Sequence, residues 1–159
     1  MTPVPPEEAH RWLHQLVGEW NYESAADGAC SGTERVRKVG ELWVVGESEM
    51  QMTGGETSYA IITIGYDPKR KRFVGSWIGS TMAHLWTYDG ELDSVGRKLS
   101  LFAEGPSVDE QGNFSPTKTS NYCDAIEIQD KDRRIFTGSI QGPDGSWTTM
   151  MTMHYRRKQ

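Results

Sequence analysis

Cysteine is scarce: 159 residues contain two, Cys30 and Cys123. That excludes a disulfide framework and a thiolate metal cluster, and leaves either one bridge between strands or two small buried thiols, the second being expected in a reducing compartment. Positive charge is not in excess. Lys+Arg total 17 against 22 Asp+Glu, a net charge of −5, whereas a nucleic-acid binder needs a basic face. No run approaches the ~20 apolar residues that cross a bilayer, and Met1 to His10 have neither the basic start nor the apolar stretch of a signal peptide. A soluble, cytoplasmic protein is therefore expected, with no nucleic-acid or membrane partner. Nucleophile and phosphate motifs are missing: there is no Gly-x-Ser-x-Gly, no phosphate loop and no His-Glu-x-x-His. No internal repeat or low-complexity segment divides the chain, and its length suits one domain over 1–159.

One segment reads as helix, about 6–16. Pro5 and Pro6 suit a helix start, Glu7 and Glu8 complement the dipole, and Ala9, Trp12, Leu13 and Leu16 form one apolar stripe before Gly18 stops it. Everything later reads as strand and turn. Turn signals recur at Asp27-Gly28, Gly54-Gly55, Asp67-Pro68, Asp89-Gly90, Val95-Gly96, Gln111-Gly112, Asp130 to Asp132 and Pro143-Asp144-Gly145. Between them lie ten runs rich in Val, Ile, Thr, Tyr and Trp: 18–25, 31–39, 42–52, 57–66, 71–79, 83–89, 97–104, 118–129, 133–141 and 146–157. Short links make the neighbours hairpins, and about ten meandering antiparallel strands escape bare edges by closing into an up-and-down β-barrel over 18–157, with the helix at one end. A two-sheet sandwich is the alternative. Gly105 to Thr117 reads as an irregular loop, either a lid over the barrel mouth or a mobile loop without a role.

Alternation gives each strand two faces. The run 57–66 is apolar on both, with Tyr59 and Ile61 on one side and Ala60, Ile62 and Ile64 on the other. A wall apolar on both sides needs an outer cover, which suggests a homodimer. Six methionines beyond Met1, at 50, 52, 82, 150, 151 and 153, suit either an adaptable apolar lumen or ordinary core and interface.

Gly18-Glu19-Trp20 resembles the opening of calycin barrels, where a Gly-x-Trp starts the first strand. In lipocalins that Trp closes the barrel floor beneath a basic residue from near the last strand; the resemblance offers Arg156 or Arg157 as that residue, stacking by cation–π attraction. A wider set resembles the bacterial domain-of-unknown-function family 1579. It comprises Gly32-Thr33-Glu34-Arg35-Val36, Leu42-Trp43-Val44, Gly65-Tyr66-Asp67-Pro68, Phe73-Val74-Gly75 and His84-Leu85-Trp86 with Tyr88 and Gly90. Tyr122 with Asp124, Ile126-Glu127 and His154-Tyr155-Arg156-Arg157 complete it. The resemblance implies an all-β, calycin-like barrel and carries over no activity.

The candidate ligand-binding residues are His84, Trp86, Arg35, Glu34, Asp124 and His154. If His84 and His154 point inward, each is able to meet Glu34, Arg35, Glu47 or Asp124 and hold a ligand; otherwise each is a core or rim histidine with one hydrogen bond. An inward Arg35 would bind a carboxylate and an outward one is a solvated strand residue. Pro68-Lys69-Arg70-Lys71-Arg72 reads as a solvated basic turn. No metal or cofactor is expected; the alternative is a non-covalent haem on the late-strand His154. Three functions follow. The first is a small, largely apolar ligand in the lumen. The second is a homodimeric structural or interaction protein with a filled barrel. The third is an enzyme using a lumen His–carboxylate pair, which requires a histidine within hydrogen-bond reach of Asp124, Glu34 or Glu47.

Overall fold

A computed structural model describes residues 1–25 and 28–159. The N-terminal segment forms α1 (Glu8–Leu13) and one 3-10 turn (His14–Leu16). Glu7 is the N-cap, and its N–H donates to His10 Nδ1 at 2.9 Å. The proton of this buried imidazole therefore sits on Nε2, which donates to the Tyr66 carbonyl at 3.1 Å. Leu13 and Leu16 are fully buried, while Ala9 and Trp12 pack at the edge of the core. The stripe read from sequence is thus the docked face.

Ten strands follow: β1 (Gly18–Ser24), β2 (Ser31–Val39), β3 (Trp43–Gln51), β4 (Thr57–Asp67), β5 (Arg72–Gly79), β6 (Met82–Leu92), β7 (Lys98–Val108), β8 (Phe114–Asp130), β9 (Arg133–Gln141) and β10 (Trp147–Arg157). Each pairs antiparallel with its neighbours, and β1 pairs with β10 through Trp20↔Arg157 and Tyr22↔Tyr155, closing the barrel. Closure leaves no free edge, as the meander required. Among the described residues no helix is long and apolar enough to cross a membrane.

Two expectations are corrected. Gly105 to Thr117 is neither lid nor mobile loop: β7 and β8 run through it to Val108 and from Phe114, with a bulge between Pro106 and Val108. The bulge tolerates a proline inside a ladder, and Asp109 Oδ1 caps the connecting turn by accepting from the Gln111 and Asn113 amides. Asp89-Gly90 is not a turn but mid-strand, with Gly90 paired to Leu101; the true turn is at 93–96, held by Asp93. Of the Asp27-Gly28 signal, Asp27 lies outside the described residues, while Gly28 has φ 62°.

The helix closes the barrel end where the β2–β3, β4–β5, β6–β7 and β8–β9 turns gather. His14 Nε2 bonds the Glu41 carbonyl at 3.0 Å and Trp12 Nε1 donates to the Gly96 carbonyl at 2.7 Å. At this floor Arg157 lies over the Trp20 ring, 4.2 Å from its centroid. Its guanidinium also donates to the Val17, Gln15 and Lys131 carbonyls. Gly18 sits at φ 137°, and a Cβ there would collide with Arg157 Nη1, so the glycine makes room for the guanidinium as well as adopting the torsion.

Candidate functional site

Inward-facing residues carry two polar groups inside an apolar shell. The first is built by β1, β2, β9 and β10. Arg134 of β9 is 3% exposed and Glu34 of β2 is 11% exposed; Arg134 Nη2 donates to Glu34 Oε1 at 2.5 Å. The guanidinium lies 4.0 Å from the Tyr155 ring centroid and 4.7 Å from that of Trp20, so the aromatic faces hold it in place. Tyr155 stacks on Tyr22, ring centroids 4.7 Å apart. Burial raises the Tyr22 hydroxyl to about 12 against a hydrogen bond from Ser48 that lowers it. Burial, then the Glu34 charge, pushes Tyr155 well up. Both phenols are therefore neutral in ordinary conditions. Among the described residues Arg134 Nε is buried without a hydrogen-bond partner.

Against this group lies a cavity of about 130 Å³. Glu34, Arg134, Tyr22, Tyr155 and Ser48 give it one polar wall, and Val44, Ile62, Trp77, Phe136 and Met153 are among the apolar ones. It reaches the barrel end opposite the helix, where Met50, Tyr59, Thr81 and Met151 border it.

The second group occupies the seam between β6 and β7. Their ladder consists of four pairs, Asp89–Leu92 with Leu99–Phe102. Above it Trp86 fills the space a Gly105 side chain would take and meets His84 and Tyr122 edge-on at 4.7 and 4.8 Å. Below, Tyr88 Oη donates to Asp124 Oδ2 at 2.5 Å. Burial raises the Asp124 carboxyl to about 6, the Tyr88 hydrogen bond pulling the other way. Burial, then the Asp124 charge, holds Tyr88 well above the usual phenol range.

Of the six sequence candidates, the structure places Glu34 on the cavity wall. His84, Trp86 and Asp124 belong to the seam group, His84 Nε2 lying 3.3 Å from the Glu104 carbonyl. Arg35 lies on the outer face, bonded to Glu19 at 2.9 Å. His154 is exposed on the outer face, across from Glu23. The haem alternative needed His154 facing the lumen, and among the cavity-lining residues there is no imidazole. The enzyme alternative needed a histidine against a lumen carboxylate; among the described residues the barrel interior holds no such hydrogen bond, and Glu47 is exposed outside. The basic turn is outside too, with Arg70 and Arg72 bonded to Asp89 and Glu91. Among the described residues no group of three or more metal-ligating side chains converges.

Arg134 is the central residue that sequence reasoning missed. A signal existed: alternation puts Arg134 on the same face as Phe136 and Ile140.

Comparison with known proteins finds the sequence profile described as "Protein of unknown function (DUF1579)" matching residues 5–157. The chain belongs to the DUF1579 family. No curated protein matches the DUF1579 chain. Among solved structures, the crystal structure of Rv2717c from M. tuberculosis is similar, at TM-score 0.61 and 10% identity, the match covering 98% of this chain and 100% of that one. A structure of EF1p2_mFAP2b bound to DFHBI also matches, at TM-score 0.49 and 9% identity over 95% of this chain and 100% of that one. The likeness to Rv2717c, at such low identity, shows a shared fold alone.

Proposed function

We propose that this DUF1579 barrel is a binding module that takes a small, largely apolar molecule into its lumen. The observation that carries the reading is a cavity of about 130 Å³ inside the barrel, walled on most sides by apolar side chains and on one by Arg134, 97% buried and paired with Glu34. The volume is near the ~150 Å³ of an apolar cavity able to hold benzene, and well below the ~300–1,000 Å³ of drug-sized sites. The occupant is therefore about one ring in size. Native mass spectrometry of protein purified from cells tests this. A co-purifying small molecule released on unfolding supports it; protein that carries nothing and takes up no ring-sized compound counts against it.

A second property, self-association, is favoured by the outer face of β4 and β5. Tyr59, Ile61 and Ile78 are exposed there, and Ile61 pairs directly with Ile78. Light scattering giving a clean 17.9 kDa particle at micromolar concentration would count against the homodimer.

A further inference from the structure

We propose that the lumen is entered from the side: β6 and β7 part above Phe102, and Trp86 is the gate between an outer groove and the cavity. The inference adds a route of entry to the lumen reading and rests on it.

The wall is weakest along this line. β6 spans Met82–Leu92 and β7 spans Lys98–Val108, yet their ladder stops at Asp89↔Phe102. Beyond that pair each strand is laddered on its far side alone, β6 to β5 and β7 to β8. Pro106 lies in this stretch of β7 and has no N–H to give a neighbour. Two hairpins therefore meet without a ladder, hinged on the four pairs below. Among the described residues one hydrogen bond crosses the line directly, between His84 Nε2 and the Glu104 carbonyl, and at 3.3 Å it is long.

The line is plugged rather than bonded. Ala103 and Gly105 are the inward residues of β7 here, and the Trp86 ring takes up the room that a Gly105 side chain would fill. Its indole N–H donates to Met82 Sδ at 3.0 Å, within its own strand. Among the described residues no hydrogen bond ties the ring to β7, so turning it gives up only apolar contact with that strand.

Space lies on both sides of the plug. Outside is a groove of about 340 Å³, with Thr87 and Glu104 among its rim residues and Ala103 and Tyr122 also lining it. The last two alternate toward the interior, so the groove penetrates the wall. Inside, Trp77 pairs in register with Trp86 and lines the cavity of about 130 Å³. Tyr122 and Trp86 meet with ring centroids 4.8 Å apart. One indole thus separates a residue of the groove from a residue of the cavity.

The test reads access to the lumen through a reporter, Ile62→Cys, on the cavity wall. The full chain also carries Cys30→Ser and Cys123→Ser. N-ethylmaleimide, a compact ring, labels the reporter, and peptide mass spectrometry follows its rate. Continuing the β6–β7 register two residues past the last pair sets Thr87 opposite Glu104, both exposed. A Thr87→Cys, Glu104→Cys pair locks the line when oxidised and frees it when reduced. Oxidation is expected to slow labelling by about tenfold or more, and Trp86→Ala to speed it by as much. Equal rates in the oxidised, reduced and Trp86→Ala forms would overturn the gate, place entry at the barrel end and leave the lumen reading standing. A reporter that reacts in no native form, or only at the rate of global unfolding measured in urea, would remove the lumen reading as well. Should Trp86→Ala not fold, the lock decides, its two redox states sharing one sequence; should the lock not close, Trp86→Ala decides.

Discussion

The Arg134 guanidinium and the Glu34 carboxylate, 100 residues apart in the chain, bond at 2.5 Å inside the barrel. The pair ties β9 to β2 across the closing strands β1 and β10. Removing one partner strands a charge in the interior, whereas removing both leaves an apolar gap. Arg134→Met is therefore expected to cost about 3–5 kcal/mol, and the double variant Arg134→Met, Glu34→Leu to recover much of it. Urea denaturation of the four proteins of this cycle measures the coupling. A double variant no more stable than the single one would show that the ion pair is not the source of the loss.

The floor makes a second prediction. Trp20 is buried to 1% exposure beneath Arg157, and Trp20→Ala should cost about 3–5 kcal/mol. Gly18→Ala, a single methyl at φ 137° where Arg157 Nη1 lies, should cost about 1–3 kcal/mol. Thermal and urea unfolding report both. A neutral Gly18→Ala would mean that Arg157 withdraws without loss.

Asp124 sets a pH dependence. Its carboxyl titrates near 6 in the folded protein against 3.8 ordinarily. Between about pH 4 and 6 the folded chain holds a proton that the unfolded chain has lost, so Asp124 makes stability fall as pH rises through that window, by about 3 kcal/mol in all. Asp93, Asp109, Asp130 and Asp144, held low by hydrogen bonds, act in the opposite sense. The difference between the unaltered protein and Asp124→Asn isolates the one group. The variant should gain relative stability from pH 4 to 6 and hold it above; a flat difference across those pH values would contradict the raised carboxyl.

The thiols give a fourth. Cys30 and Cys123 are both free, and burial, followed by the Asp124 charge, raises Cys123. A thiol reagent should count two thiols in denaturant and react slowly with Cys123 in the native protein. A count of zero would mean a disulfide joins them.

Some of this was readable before any coordinates. The helix was legible because Leu13 and Leu16 fall on one side at helical spacing. The ten strands were legible because Gly and Asp turn signals punctuate runs of β-branched and aromatic residues. Asp89-Gly90 misled because the same dipeptide that makes turns also sits mid-strand, where Gly90 gives way to Leu101 and Phe73. The strand through Gly105 to Thr117 was hidden because Pro106 argues against a ladder unless a bulge accommodates it. Resemblance linked the first-strand Trp20 in advance to Arg156 or Arg157, and the structure seats Arg157 on that ring.

The sequence by itself determined that the chain is a closed antiparallel barrel with one capping helix, because periodicity, turn chemistry and the need to eliminate edges are local properties of neighbouring residues. Which polar groups share the interior was decided only by tertiary structure. Arg134 meets Glu34, and Asp124 meets Tyr88, through registers set when β1 closes on β10. Alternation says that a side chain is on one face or the other; it does not say which residue waits opposite, since that depends on stagger around the whole ring.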